Sequence, residues 1–280
     1  MKARAIKDLI EPQMVIEGAG VRLLRSFFPQ ESNLYDPFLL FDHFAFNDPT
    51  EGPIRGFPTH PHRGIETVTY MLEGNVQHRD SLGNSGIIGP GDVQWMTAGG
   101  GILHEEMPRR GPDGTIYGFQ LWVNLPASLK MSRPNYQEVK AGSIPESLQD
   151  GISIRVVAGT VNGIEGPVQQ IAAKPLYLEV KLPVHSDFTQ PVTPGHTALI
   201  YVFEGEGEIA GQPVKALSMA ILGDGDCIQA KTRDFPMRFM IMAGAPFRES
   251  IAPYGPFVMN TREEIAQALA DLRTGTFIKY

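Results

Sequence analysis

Cysteine is almost missing from this chain. Cys227 is the only one in 280 residues, so no disulfide can form within the chain and the redox compartment is left open. Positive charge is scarce as well: 24 Lys and Arg against 31 Asp and Glu give a net charge of −7. A phosphate backbone or an anionic bilayer attracts the opposite sign, so neither nucleic acid nor membrane is expected as a direct partner. No apolar run approaches the roughly 18 residues that a spanning helix needs. The opening residues Met1-Lys2-Ala3-Arg4-Ala5-Ile6-Lys7-Asp8 lack the apolar stretch of a secretory signal. The expected location is the cytoplasm, extending to the nucleus in a eukaryote. Helical periodicity is the last shortage, and it excludes an α-rich fold.

What the chain does have is turns and strands. Its 30 glycines and 23 prolines punctuate short runs rich in β-branched and aromatic residues, among them Val21–Leu24, Glu66–Leu72, Val93–Met96 and Gly118–Val123. Only near the end does a helix announce itself. Thr261-Arg262-Glu263-Glu264 reads as a capping box, followed by Ile265, Ala268, Leu269 and Leu272 at helical spacing. Two segments echo one another: Tyr70-Met71-Leu72-Glu73-Gly74 followed by Gly91-Asp92, and Tyr201-Val202-Phe203-Glu204-Gly205 followed by Gly225-Asp226. Repetition of strand, turn, strand, Gly-Asp and strand suits two β-barrels of one type. The expected fold is all-β: two stacked antiparallel barrels of the jelly-roll type with a C-terminal helix. The expected domains are 1–133, carrying any metal site, and 134–280, without one and ending in the helix. A weakly structured connection is expected from Ala127 to about Pro175.

Two pairs of residues carry the chemistry. His60 and His62 stand two apart, as do His104 and Glu106, and in a strand such residues point to the same face. Three imidazoles and a carboxylate meeting at one point would hold a mononuclear divalent metal. Glu66 follows the first pair at the spacing of the His-x-His-x(3)-Glu pattern of cupin barrels, and Gly99-Gly100-Gly101-Ile102-Leu103-His104 supplies a Gly-rich bend that delivers the third imidazole. Glu66 is expected to orient one imidazole from behind. Shifting His60 and His62 by the 131-residue offset between Tyr70 and Tyr201 lands on Pro191 and Thr193, so the second half is expected to lack a site.

Other residues carry weaker signals. Trp95, Met96 and Trp122 are candidates to line a flat apolar pocket, although such residues more often fill cores. His78 reads as solvated near a hairpin tip. His43 reads as near the barrel mouth, with nothing in its spacing to require it. Arg63 reads as a partner of a carboxylate such as Glu66, as a charge that steers an anion, or as a solvated strand-edge charge. Cys227 reads as a small core residue.

The stretch from Gly56 to Val68, with Pro90–Gly99, Gly101–Pro108, Gln120–Pro126 and Gly255–Thr261, resembles the signatures of the pirin family across nearly the whole chain. That resemblance implies a bicupin with an iron-type metal in the N-terminal barrel, held by His60, His62, His104 and Glu106, and an empty C-terminal barrel. Iron(II) is the first choice, with manganese, cobalt, nickel and copper also suited by ligand type. One departure stands out: Gly100 occupies a position where family members commonly carry Arg, which bears on substrate preference. Pirin-like proteins include quercetinases, so the resemblance implies a dioxygenase that opens the heterocycle of quercetin or a related flavonol with O2. Glu106 would then be the catalytic residue, accepting the flavonol 3-hydroxyl proton. The alternative it implies is a non-enzymatic, iron-dependent redox sensor that binds a protein partner, a transcription factor or a metabolic enzyme. A sugar or small-acid isomerase is a third reading, because cupin barrels host many chemistries.

Overall fold

A computed structural model describes residues 1–44, 50 and 55–280. The described residues form two units, one of Gln13–Ala141 with Phe247–Tyr280 and one of Met1–Pro12 with Gly142–Pro246. This division differs from the expected 1–133 and 134–280. The main boundary falls near residue 141, and both termini are exchanged. Strand Ile6–Ile10 pairs with Ser218–Leu222 in the unit built from the second half, while helix Arg262–Thr274 lies in the unit built from the first half. Sequence pattern says that a strand or an amphipathic helix needs a partner, but not which sheet supplies it.

In the site-bearing unit, seven antiparallel strands run in the order Asn135–Val139, Val93–Thr97, Ile65–Glu73, Tyr117–Asn124, Phe38–Phe44, Val21–Phe27 and Gln13–Glu17. A second sheet has the order Phe57–His62, Ile102–Arg109, Asn75–Asp80 and Ser85–Ile88. Val21, Leu23 and Phe44 of the first sheet pack against Val76 and Ile88 of the second. The two sheets therefore face one another across an apolar core as an open, flattened barrel. Alternation decides what faces inward. Along Ile102–Arg109, Ile102, His104, Glu106 and Pro108 are buried and the residues between them are not. Along Asn75–Asp80 the buried residues are Val76 and His78.

The other unit is built on a ten-stranded sheet, with a separate two-stranded pair of Thr160–Val161 and Ile164–Glu165. Its long strand Thr197–Ile209 pairs with Ser218–Leu222 and Met237–Gly244 over its first part, and with Gln212–Lys215 and Cys227–Lys231 at its far end. Its interior is apolar, with Val180, Val202, Ile209, Ile228, Phe239 and Ile241 all buried together. Cys227 is buried within it, as expected. Each unit is of the cupin type, and the chain is an all-β bicupin with one C-terminal helix.

The expected loose connection is more ordered than composition suggested. Strands Asn135–Val139, Glu146–Gln149 and Ile152–Ala158 lie inside it, the first pairing with Val93–Thr97. The capping box is present: Thr261 accepts from the Glu264 amide, Glu264 accepts from the Thr261 amide, and Gly275 closes the helix in the left-handed region. Ile265 and Ala268 pack on Phe257, Met259 and Phe277. Among the described residues, no helix is long and apolar enough to cross a membrane.

Candidate metal centre

His60 and His62 lie on strand Phe57–His62, and the neighbouring strand sets His104 directly opposite His60. Residues opposite one another in an antiparallel pair project to the same side, so all three imidazoles point into the barrel. The Nε2 atoms of His60 and His62 are 3.1 Å apart. The ring centroids of His60 and His104 are 4.4 Å apart, and those of His62 and His104 are 5.1 Å apart. One ligand atom from each histidine lies within 4.8 Å of the others. Among the described residues this is the one such group of His, Cys, Asp or Glu.

The surroundings fix two rings and leave the third unmatched. The Nδ1 of His60 lies 2.9 Å from the Pro58 carbonyl and that of His62 lies 3.3 Å from the Pro256 carbonyl. Each carbonyl favours a proton on Nδ1 and a lone pair on Nε2, the tautomer that a metal ligand needs. His104 is buried, yet neither of its ring nitrogens has a hydrogen-bond partner. An unsatisfied buried imidazole costs about 1–3 kcal/mol, and a cation shared with its neighbours relieves that cost. Burial holds the His104 pKa down at about 4 and that of His62 well below its usual value. Both are therefore neutral donors near pH 7. The three histidines can hold a metal ion.

Glu106 sits beside this cluster. A bulge between His104 and Glu106 shifts the register against Phe57–His62, and the nearer Glu106 oxygen is 3.9 Å from His104 Nε2. Its carboxylate accepts from Thr69 Oγ1 at 3.3 Å and from Gln120 Nε2 at 3.3 and 3.2 Å. These donors fix the plane of the carboxylate.

Above the cluster opens a cleft of about 560 Å³, whose walls include Phe28, Leu40, Phe57, Trp122 and Pro256, with His60, His62 and Glu106 exposed to it. That size falls within the range of small-molecule sites. Trp122 meets the His62 ring edge-on at 5.1 Å. At the polar end Arg25 is bonded to both Asp42 oxygens, at 2.8 and 2.7 Å, and to Glu17 at 2.6 Å.

Several sequence expectations need correction. Glu66 does not support an imidazole. It accepts from Trp95 Nε1 at 3.1 Å and Thr97 Oγ1 at 2.8 Å, because it lies on the opposite pleat face from Thr69, which points at Glu106. Burial lifts its pKa to about 7. Arg63 is neither solvated nor paired with Glu66. It is buried, bonded to Asp271 at 2.8 Å and to the Phe277 carbonyl at 3.0 Å, and lies over the Phe277 ring. His78 is buried rather than at a wet hairpin tip. It lies 2.9 Å from Gln94 and 2.9 Å from Glu138, and stacks on Tyr136. His43 is buried against Tyr117, and burial lowers its pKa to about 3. Of the three apolar candidates, Trp122 lines the cleft while Trp95 and Met96 are core.

Sequence reasoning also missed Lys130. It is buried and donates to the Gly64 carbonyl, Asn124 Oδ1 and the Val258 carbonyl at 2.9, 2.7 and 2.6 Å. Burial lowers its pKa to about 7, while three acceptors match the three N–H bonds of an ammonium. Lys130 and Arg63 thus tie the turn after His62 to the C-terminal segment. Gly100 packs beneath the tail: a Cβ there would meet the Met131 carbonyl at 3.3 Å and the Tyr280 ring at 3.4 Å.

Comparison with known proteins agrees with this architecture. Residues 20–123 match the Pirin family and residues 177–278 match the Pirin C-terminal cupin domain. A pirin-like protein of Caulobacter vibrioides is 45% identical over 279 residues, covering 99% of this chain and 100% of that one. Human pirin is 45% identical over 264 residues, covering 92% and 88%. A crystal structure titled quercetin 2,3-dioxygenase, from Acinetobacter baumannii, superposes with a TM-score of 0.88 at 35% identity, covering 98% of each chain.

Proposed function

This chain belongs to the pirin family, and from that premise we propose that it is a metal-dependent dioxygenase opening the heterocycle of quercetin or a related flavonol with O2. The observation that carries the reading is a cluster of three imidazoles beneath a cleft walled by flat apolar groups, with a carboxylate held beside it. The likeness to a solved quercetin 2,3-dioxygenase supports it.

In this reading His60, His62, His104 and Glu106 hold one divalent ion, iron(II) by preference. The ion supplies Lewis acidity toward the flavonol oxygens and the capacity to engage dioxygen. The protein supplies the rest. His60, His62 and His104 each offer a ring-nitrogen lone pair, and burial keeps His62 and His104 neutral. Phe28, Leu40 and Trp122 wall the space for the flat ring system and exclude water. Glu106 accepts the 3-hydroxyl proton at a carboxylate oxygen, while Thr69 and Gln120 keep the carboxylate aimed at the cleft. Overall one dioxygen is consumed and one carbon monoxide released for each flavonol, both oxygen atoms being kept in the two products.

The test is aerobic incubation of the iron-loaded protein with quercetin, following loss of flavonol absorbance and release of carbon monoxide. Both are expected, and Glu106→Gln should lower kcat by about 10²–10⁴-fold while the protein still binds metal. A loaded protein that yields neither signal removes the reading.

A further inference from the structure

Beside Glu106 lies a second and smaller cavity. It is lined by Val21, Leu23, Phe44, Phe57, Val76 and Ile116, with Glu106, Thr69, Gln120 and Asp42 on its polar side. It leaves about 20 Å³ for the centre of a water-sized molecule. Apart from Phe57 and Gln120 these residues are all buried. Four of the lining residues, Asp42, Phe57, Glu106 and Gln120, also line the cleft, so a single layer of side chains separates the two spaces.

The chemistry of the lining selects what this cavity takes. A buried water wants two to four polar partners, and the donors of Thr69 and Gln120 are already directed at Glu106. Both Asp42 oxygens accept from Arg25. What remains is the aliphatic and aromatic wall from the core cluster of Val21, Leu23, Phe44, Val76 and Ile116. A wall of this kind gives a small apolar species more contact than it gives water. Room for one small molecule excludes a flavonol and admits a diatomic gas.

We propose that this cavity is a dioxygen-binding site, holding the gas next to the layer of side chains that faces the substrate cleft. Its role as a supply for turnover rests on the dioxygenase reading above; its affinity for the gas does not. Binding here involves no covalent or redox step. The site concentrates an apolar diatomic within the barrel and passes it around Glu106 when Phe57 or Gln120, the two half-buried members of the wall, change rotamer.

The test separates the two claims. In zinc-loaded protein, which is diamagnetic, dissolved dioxygen relaxes nearby methyl protons. The Val21, Leu23, Val76 and Ile116 methyls should relax several-fold faster under oxygen than the equally buried Ile200 and Val202 methyls of the other unit. Ile116→Phe, which fills the space, should abolish that excess with its thermal unfolding transition retained; Val76→Leu serves as the milder filling variant. In the iron-loaded enzyme the same variants should raise KM for dioxygen several-fold and leave KM for quercetin unchanged. Equal relaxation at both sets of methyls overturns the site. Excess relaxation with an unchanged KM for dioxygen overturns the supply role. Failure of quercetin turnover overturns the dioxygenase reading and leaves the relaxation result to decide the cavity.

Discussion

Replacing Asp271 by Asn should destabilise the site-bearing unit more than any ordinary surface change. Arg63 is 1% exposed and its guanidinium reaches Asp271 at 2.8 Å. Removing the carboxylate charge leaves a buried cation without a counter-charge, a change that costs about 3–5 kcal/mol in comparable pairs. The Phe277 carbonyl and ring stay in place, which argues for the lower end, about 3 kcal/mol. The two tryptophans of the chain, Trp95 and Trp122, both belong to this unit. Tryptophan emission in urea therefore reports on it alone. With a slope of about 2 kcal/mol per molar, the midpoint should fall by about 1.5 M. Joint replacement by Arg63→Met and Asp271→Leu should recover most of that loss, since an apolar pair leaves no charge stranded. A midpoint shift below about 0.3 M for Asp271→Asn, or a double variant no more stable than the single one, would refute the argument.

Other consequences are simpler to state. Glu66 has its folded pKa raised to about 7 by burial, so it is neutral in the folded state where the unfolded chain is already ionised. Stability from this group is full below its ordinary value near 4.5 and is lost as pH rises through 7. The stability difference between wild type and Glu66→Gln should change by about 3 kcal/mol between pH 4 and pH 8; a flat difference would count against the buried, protonated carboxyl. Gly64 has φ +80°, and a Cβ there would lie 2.2 Å from the Val258 carbonyl oxygen. Gly64→Ala should cost at least about 2 kcal/mol and weaken metal binding, both measurable by unfolding midpoint and by titration.

The strands and the helix were legible because they obey local rules. Alternation in Ile102–Arg109 and the capping box at Thr261 are written in adjacent residues, and so is the pairing of His60 with His62. The meeting of His60, His62 and His104 was legible through spacing and through the pirin resemblance together. What stayed hidden depends on distant partners. Arg63 finds Asp271 208 residues away, and nothing near Arg63 in sequence points there. Lys130 looks like any surface lysine until Gly64, Asn124 and Val258 converge on it. Glu66 was misread because the cupin spacing was followed without asking which pleat face the residue occupies. His78 was misread because polarity suggested a turn, whereas its strand is flanked on both sides within the four-stranded sheet.

The exchange of termini follows the same logic. Ile6–Ile10 carries no mark of its destination, and its pairing with Ser218–Leu222 depends on an available sheet edge rather than on proximity in sequence.

The most direct test of the central proposal is a calorimetric titration of metal-stripped protein with iron(II) under anaerobic conditions, and with nickel(II) as an air-stable substitute. One ion per chain is expected for the wild type. No binding at the same concentrations is expected once His60, His62 and His104 are all replaced by Ala in a variant whose unfolding remains cooperative. An unchanged stoichiometry and affinity in that variant would contradict the assignment, because the ion would then be bound somewhere other than the histidine cluster.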